Sequence, residues 1–205
     1  MSAAVAPPPA TDAPTAAPAA GERAGPHGVG NKLARVAWGA CYWTLFRPSP
    51  RPLWGWRRAL LRAFGADVGP GAKVVPSARI WLPANLSLGA GACLGADADC
   101  YNLARVTLGE RATASQRAFL CAGTHDHADP GLPLVCRPVT VGAGAWVCAG
   151  AFVGPGVTVG ANAVLGAHAV AARDVPAGEI WAGNPARFVK RRVLRDDPKP
   201  PGDTR

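Results

Sequence analysis

The chain has 205 residues and a formal charge of +9, from 22 Lys and Arg against 13 Asp and Glu. That is one domain with an appendage, long enough to bury a core. The positive excess calls for anionic partners. The basic residues collect at two ends, around Arg47–Arg62 and Arg187–Arg195, with no recognised nucleic-acid motif between them. This layout fits a phosphate-bearing small molecule or a membrane surface better than a nucleic-acid-tracking stripe, so no nucleic-acid partner is expected.

In chain order, residues 1–30 are an Ala/Pro/Gly tract with too few large apolar groups to offset chain entropy, and are read as a disordered tail. The tract lacks the basic start and apolar run of a signal peptide. Residues 31–67 are expected to form a helical cap. Leu33, Val36, Ala37, Ala40 and Cys41 recur at helical spacing as its apolar face, with Asn31 as the capping residue. "RPSPRP" breaks this helix, and Trp54–Phe64 makes a second, basic one. Such helices plug the open end of a stacked structure. Trp38, Trp43, Trp54 and Trp56 beside arginines also suit peripheral contact with a membrane.

From Val68 to Ala182 the chain repeats every six residues: VGPGAK, VVPSAR and IWLPAN open the array, and VGAGAW, VCAGAF, VGPGVT, VGANAV and LGAHAV continue it after Val141. The first position is mostly aliphatic, the fifth small, and the second often Gly. A period of six is neither a flat sheet nor an amphipathic helix. Three hexads make one triangular coil, its first positions pointing inward, and stacked coils bury a continuous aliphatic column. Fifteen hexads predict an all-β solenoid of about five coils, a parallel β-helix with two-residue slips after Asn85 and Arg105. Beyond it, residues 183–195 are expected to be a basic helix with Arg187 and Lys190 on one face, and 196–205 a tail. The six cysteines form no CxxC pair and no compact disulfide spacing, which predicts reduced thiols in a cytoplasmic protein.

The rhythm stops at "GTHDHADPG", where a loop over residues 126–138 is inserted. His125 is the sixth residue of its hexad, so it faces outward at a corner, and inserted solenoid loops carry function. A neutral imidazole is suited to taking a proton from an alcohol during attack. Asp126 either orients that ring or caps the loop. His127 is a solvated loop residue, His168 sits on an outer corner, and His27 lies in the tail. A metal site would need three converging histidines, a set this spacing does not assemble. A non-catalytic scaffold or glycan binder would need neither His125 nor the C-terminal cations.

The motifs "PRPLWGWRRALLRAFGADVG", "ARIWLPANLSLG", "YNLARVTLG", "SQRAFLCAGTHDHADP" and "WAGNPARFVKRR" span about residues 36–193. Their order resembles the hexapeptide-repeat acyltransferases, and within them the colanic acid biosynthesis acetyltransferase group. The resemblance implies a left-handed parallel β-helix, a homotrimer, acetyl-CoA as donor and a carbohydrate acceptor in exopolysaccharide or surface glycan assembly. It implies no metal. His125 becomes the general base, in a cleft between two prisms. Asp97 and Asn102 become acceptor contacts in the same cleft, although amide and carboxylate are exchanged relative to better-understood sugar acetyltransferases. Ser115 and Gln116 are signature residues of the group. The coenzyme would lie in the groove between neighbouring prisms, walled by Ala149 and Ala167 and flanked by Trp146. Its phosphates would meet Arg173, Arg187 and Lys190.

Overall fold

A computed structural model describes residues 28–194; the tails at 1–27 and 195–205, with His27 and Arg195, lie outside the described residues. The six-residue period is realised as a triangular prism. Its faces are three sheets of short parallel strands. In face I, Val68 pairs with Leu88, Leu88 with Leu108, Leu108 with Val141 and Val141 with Val159. Face II runs through Val74, Leu94, Ala114, Val147 and Leu165. Face III runs through Ile80, Cys100, Leu120, Val153 and Ala171. Five coils are complete. A sixth begins where Val175 bridges Val159 and Glu179–Ala182 extends face II.

Each hexad position has a physical task. First-position side chains fill the column: Leu94, Leu108, Leu120, Val147, Val153 and Leu165 are fully buried. Removing one such aliphatic from water is worth about 1.5–3 kcal/mol. Fifth-position alanines such as Ala72, Ala92 and Ala112 are also fully buried, because the corner has room for only one methyl. The second-position glycine serves close approach: a Cβ on Gly69, Gly89 or Gly142 would lie 2.5–2.6 Å from a backbone nitrogen of the next coil. Left-handed backbone belongs instead to the fourth position. Five of the six non-glycine residues with positive φ (Asp97, Arg111, Arg117, Asn162 and His168) stand there.

Ahead of the prism, α1 (Val29–Cys41) runs into a π-helical turn (Tyr42–Phe46), and α2 (Trp54–Ala63) follows. The first helix starts at Val29 with Gly28 at its N-cap, so Asn31 lies inside it and caps nothing. The expected apolar face is also corrected. Leu33, Val36, Ala37 and Ala40 face solvent, while Trp38, Cys41, Tyr42 and Phe46 are buried on the prism. Aromatic rings bury more area than short aliphatics, so the aromatic stripe wins the contact. Trp38 Nε1 fixes it by donating to the Ile80 carbonyl at 2.7 Å.

The arginines of α2 are not waiting for an anion. The first coil has no predecessor, so carbonyls on its outer edge lack strand partners, and an unpaired buried carbonyl is costly. Arg57, with no exposed surface, donates Nε to Val74 O at 2.6 Å and its guanidinium NH2 groups to Ser49 Oγ, Pro50 O and Arg51 O. Burial lowers the pKa of this guanidinium from its ordinary value. Arg58 donates to Ala72 O at 3.1 Å, and Arg62 donates twice to Val68 O. Three of the five cations in the first basic cluster thus end the sheet edge.

At the other end the expected helix over 183–195 is a strand. Arg187–Arg191 pairs antiparallel with Glu179–Ala182, with a bulge opposite Ile180 and Trp181. Face II would otherwise end on an open backbone edge, and "RFVKR" both pairs it and covers it with charge. Arg192 pins the strand through its N–H to Gly178 O and its guanidinium to Gly144 O and Asn162 O. Arg187 and Lys190 therefore share no helix face.

Candidate active site

The interruption is a β-hairpin on the edge between faces III and I. Gly123–His125 pairs antiparallel with Leu134–Cys136, and His125 stands opposite Leu134. Leu103 and Tyr101 of the coil below pack against its base: a Cβ on Gly123 would meet Leu103 Cδ1 at 2.5 Å and Tyr101 Cε1 at 3.4 Å. Asp129 builds the tip, its Oδ1 accepting from Gly131 N at 2.8 Å and its carbonyl accepting from Leu132 N. Leu132, held at φ 45°, turns its carbonyl onto the His125 ring, 2.6 Å from Nδ1. A carbonyl only accepts, so the Nδ1 proton is fixed there and the neutral ring keeps its Nε2 lone pair. His125 is exposed. Asp126 resolves as a loop cap, its Oδ1 accepting from Ala128 N at 3.0 Å. Orientation of the ring falls to Leu132, whose backbone role carries no side-chain signal in the sequence.

The two acceptor candidates do not share a cleft within one chain. Five residues are nearly one side of the triangle, so Asp97 and Asn102 sit on adjacent edges. Asp97 is exposed at a fourth-position turn between faces II and III, φ 54°. Asn102 is on the hairpin's own edge, one coil below, but it has no exposed surface. Its Oδ1 accepts from Leu82 N at 3.0 Å and its Nδ2 donates to Leu82 O at 2.6 Å. The whole amide is spent joining two coils, and the expected sugar contact through it is withdrawn.

The donor candidates separate in a useful way. Ala149 and Ala167 occupy successive turns on the edge between faces II and III. Ser115 lies one coil lower, and the exposed Trp146 indole donates to its hydroxyl at 2.8 Å. Ala182 packs over Gly166 at the top of this edge and is paired with Arg187. Lys190 pairs with Ile180, farther across face II. Arg173 lies over the Trp181 ring, 5.3 Å from its centroid, and lines a cavity of about 220 Å³ with Arg187, Pro185 and Ala186. His168 is exposed on the same edge, its ring over Gly150. A larger cavity of about 700 Å³ lies between α1 and face III, walled by Tyr42, Trp43, Trp81 and Tyr101. At its polar rim Arg79 pairs with Asp99 at 2.8 Å, while burial still raises the Asp99 pKa. Among the described residues no group of three or more His, Cys, Asp or Glu is placed to hold a metal ion.

The hexapeptide turns and the prism they build are matched in known proteins. The bacterial transferase hexapeptide family (six repeats) covers residues 138–173. A protein of Escherichia coli (strain K12) named for acetyl transfer in colanic acid biosynthesis, WcaF, is 38% identical over 164 residues, 80% of this chain and 90% of its own length. The chain belongs to the hexapeptide-repeat acetyltransferase family. Among solved structures, a maltose O-acetyltransferase from Clostridium difficile 630 superposes with a TM-score of 0.72 at 23% identity, covering 80% of this chain and 88% of that one. A galactoside acetyltransferase in complex with coenzyme A gives 0.73 at 24% identity, with 80% and 84% covered. A Vibrio cholerae hexapeptide-repeat acetyltransferase complexed with acetyl coenzyme A gives 0.74 at 18% identity, with 82% and 92% covered. At these identities the superpositions establish the shared prism.

Proposed function

We propose that this family member moves an acetyl group from acetyl-CoA to a sugar hydroxyl, with His125 as general base. The observation that carries the reading is the Leu132 carbonyl at 2.6 Å from His125 Nδ1, which leaves Nε2 as the proton acceptor on an exposed hairpin. The hydroxyl proton passes to Nε2 as its oxygen attacks the thioester carbonyl carbon. The tetrahedral oxyanion then collapses, the C–S bond breaks, and the coenzyme thiolate takes the proton back from the imidazolium. No acyl-enzyme is needed.

The acceptor belongs to an exopolysaccharide or another surface glycan, a reading supported by the relative named for colanic acid biosynthesis. Coenzyme A follows the turns of Ala149 and Ala167 past Trp146, with its phosphates toward Arg187 and Arg173 and Lys190 as an outer cation. That groove and His125 are on different edges of one prism, so a complete site takes its base from one copy and its groove from another. A homotrimer with three shared sites meets this requirement. Asp97, on the groove edge, remains the proposed acceptor contact. The setting is the cytoplasm, at the inner face of the membrane.

The test is His125→Ala, assayed with labelled acetyl-CoA and a panel of glycan-repeat precursors. Transfer should fall by about 10²–10⁴ while coenzyme binding and oligomeric mass are kept. A variant that turns over at close to the normal rate overturns the mechanism. A stable, active monomer in light scattering overturns the shared site.

A further inference from the structure

Helix α1 is apolar on two sides. One side, through Trp38, Cys41 and Tyr42, is buried on the prism. The other carries Leu33, Val36, Ala37 and Ala40 in the open, with Leu33 66% and Val36 72% exposed. A helix with apolar residues on a second side normally has that side covered as well. The exposed stripe leads into the π-helical turn, where Trp43 is 67% exposed beside the exposed Leu45. Trp56 of α2, itself 44% exposed, joins them by donating Nε1 to Leu45 O at 3.1 Å. Half of the large exposed hydrophobic residues among those described thus lie in the cap.

Charge decides what covers this patch. From Gly28 to Ala66 the chain has seven Lys and Arg and no Asp or Glu. Arg57 is buried, but Lys32, Arg47 and Arg51 are exposed and form no ion pair among the described residues. Two copies meeting through this surface would oppose cation to cation. An anionic bilayer complements it: the leucine, valine and indoles enter the boundary of the acyl chains while Lys and Arg stay among the phosphates. No helix of the described residues is long and apolar enough to cross a membrane, so the contact is in the plane.

We infer that the α1 stripe and the adjoining Trp43–Trp56 patch form a peripheral docking surface for an anionic phospholipid bilayer. This names the surface behind the membrane setting proposed above and is independent of the acetyl-transfer chemistry. The full chain should sediment with vesicles of phosphatidylcholine mixed with phosphatidylglycerol. Binding should be lost with phosphatidylcholine alone and should weaken as salt rises. Leu33→Ser with Val36→Ser, at exposed sites the fold does not use, should bind at least about tenfold more weakly. Its melting temperature and its transfer to a water-soluble acceptor should match the parent chain, so a failure here is distinct from a failure of the catalytic reading. The inference is overturned if the full chain stays in the supernatant at low salt, or if the double variant sediments as well as the parent. It is equally overturned if light scattering finds a smaller oligomer for the variant, which makes the stripe a contact between copies.

Discussion

Two edges of the same prism have opposite characters. Between faces II and III the chain turns by rule: Asp97, Arg117, Gly150 and His168 each stand at a fourth position with positive φ. Between faces III and I the rule is broken three times in succession. Face I pairing advances from Val68 to Leu88 and from Leu88 to Leu108, then from Leu108 to Val141, and only afterwards by the ordinary interval from Val141 to Val159. The extra residues are locked where they fall. Pro83–Asn85 is a 3₁₀ turn, Asn102 is tied both ways to Leu82, and Asn85 donates to the carbonyls of Asn102 and Leu103. The hairpin with His125 stands on this widened, polar-bonded stack. Regular turns stack one above another, and the irregular ones build the shelf on which His125, the proposed base, is displayed.

The sharpest way to break that comparison is to remove the displayed group and spare the shelf. His125→Ala should cost a factor of about 10²–10⁴ in kcat and leave chemical denaturation unchanged, because its side chain supports only the exposed hairpin. Asn102→Ala should do the reverse. It leaves the buried Leu82 N–H unpaired, which costs about 1–3 kcal/mol, while the Leu82 carbonyl keeps its bond from Asn85 N. A direct sugar contact through Asn102 would instead appear as a raised acceptor KM at unchanged stability.

Much of this was legible in the sequence because hexad rules are local. An inward aliphatic and a one-methyl corner are needed in every coil, so Val141, Val147 and Val153 announce the prism and the break at His125 stands out against them. What was misread depends on partners that sequence order does not show. The terminal "RFVKR" becomes a strand only because face II ends in an open edge. The apolar spacing of Leu33, Val36 and Ala37 is real, but an aromatic stripe on the same helix has more to bury. The resemblance assigns Asp97 and Asn102 to one cleft by register, and within one chain the five residues between them carry the chain round a corner to the next edge.

The cap offers a second contrast, between a cation that ends the fold and cations that face outward. Arg57→Met should destabilise the chain in denaturant by about 1–3 kcal/mol for each buried carbonyl left unpaired, since it strips the donors from the Val74 and Arg51 carbonyls at once. Arg187→Ala with Lys190→Ala should leave stability within about 0.5 kcal/mol, as surface changes do. It should raise the KM for acetyl-CoA, most strongly at low salt where screening is weakest. An unchanged donor KM would return both to a solvated edge.

The smallest effect probes how strictly the regular corners are built. At Gly95 a Cβ would lie 2.7 Å from the Ser115 carbonyl carbon and 2.8 Å from Gln116 N, both backbone atoms that cannot move aside. Gly95→Ala should therefore cost about 1–3 kcal/mol, as overpacking does. Arg111 has the opposite problem. It holds φ 54° with a full side chain, 77% exposed, and its one ion pair among the described residues is a 3.5 Å contact to the exposed Glu110. Left-handed backbone costs an L-residue roughly 1–2 kcal/mol, whereas glycine adopts it freely and gives up about 0.5–1 kcal/mol of chain entropy. The exposed ion pair contributes little. Arg111→Gly should therefore stabilise the prism by about 0.5 kcal/mol, read as a small rise in denaturation midpoint at constant m-value. A fall of a kilocalorie or more would mean that the fourth position is held by its side chains, and that the regular edge is specified by more than backbone geometry.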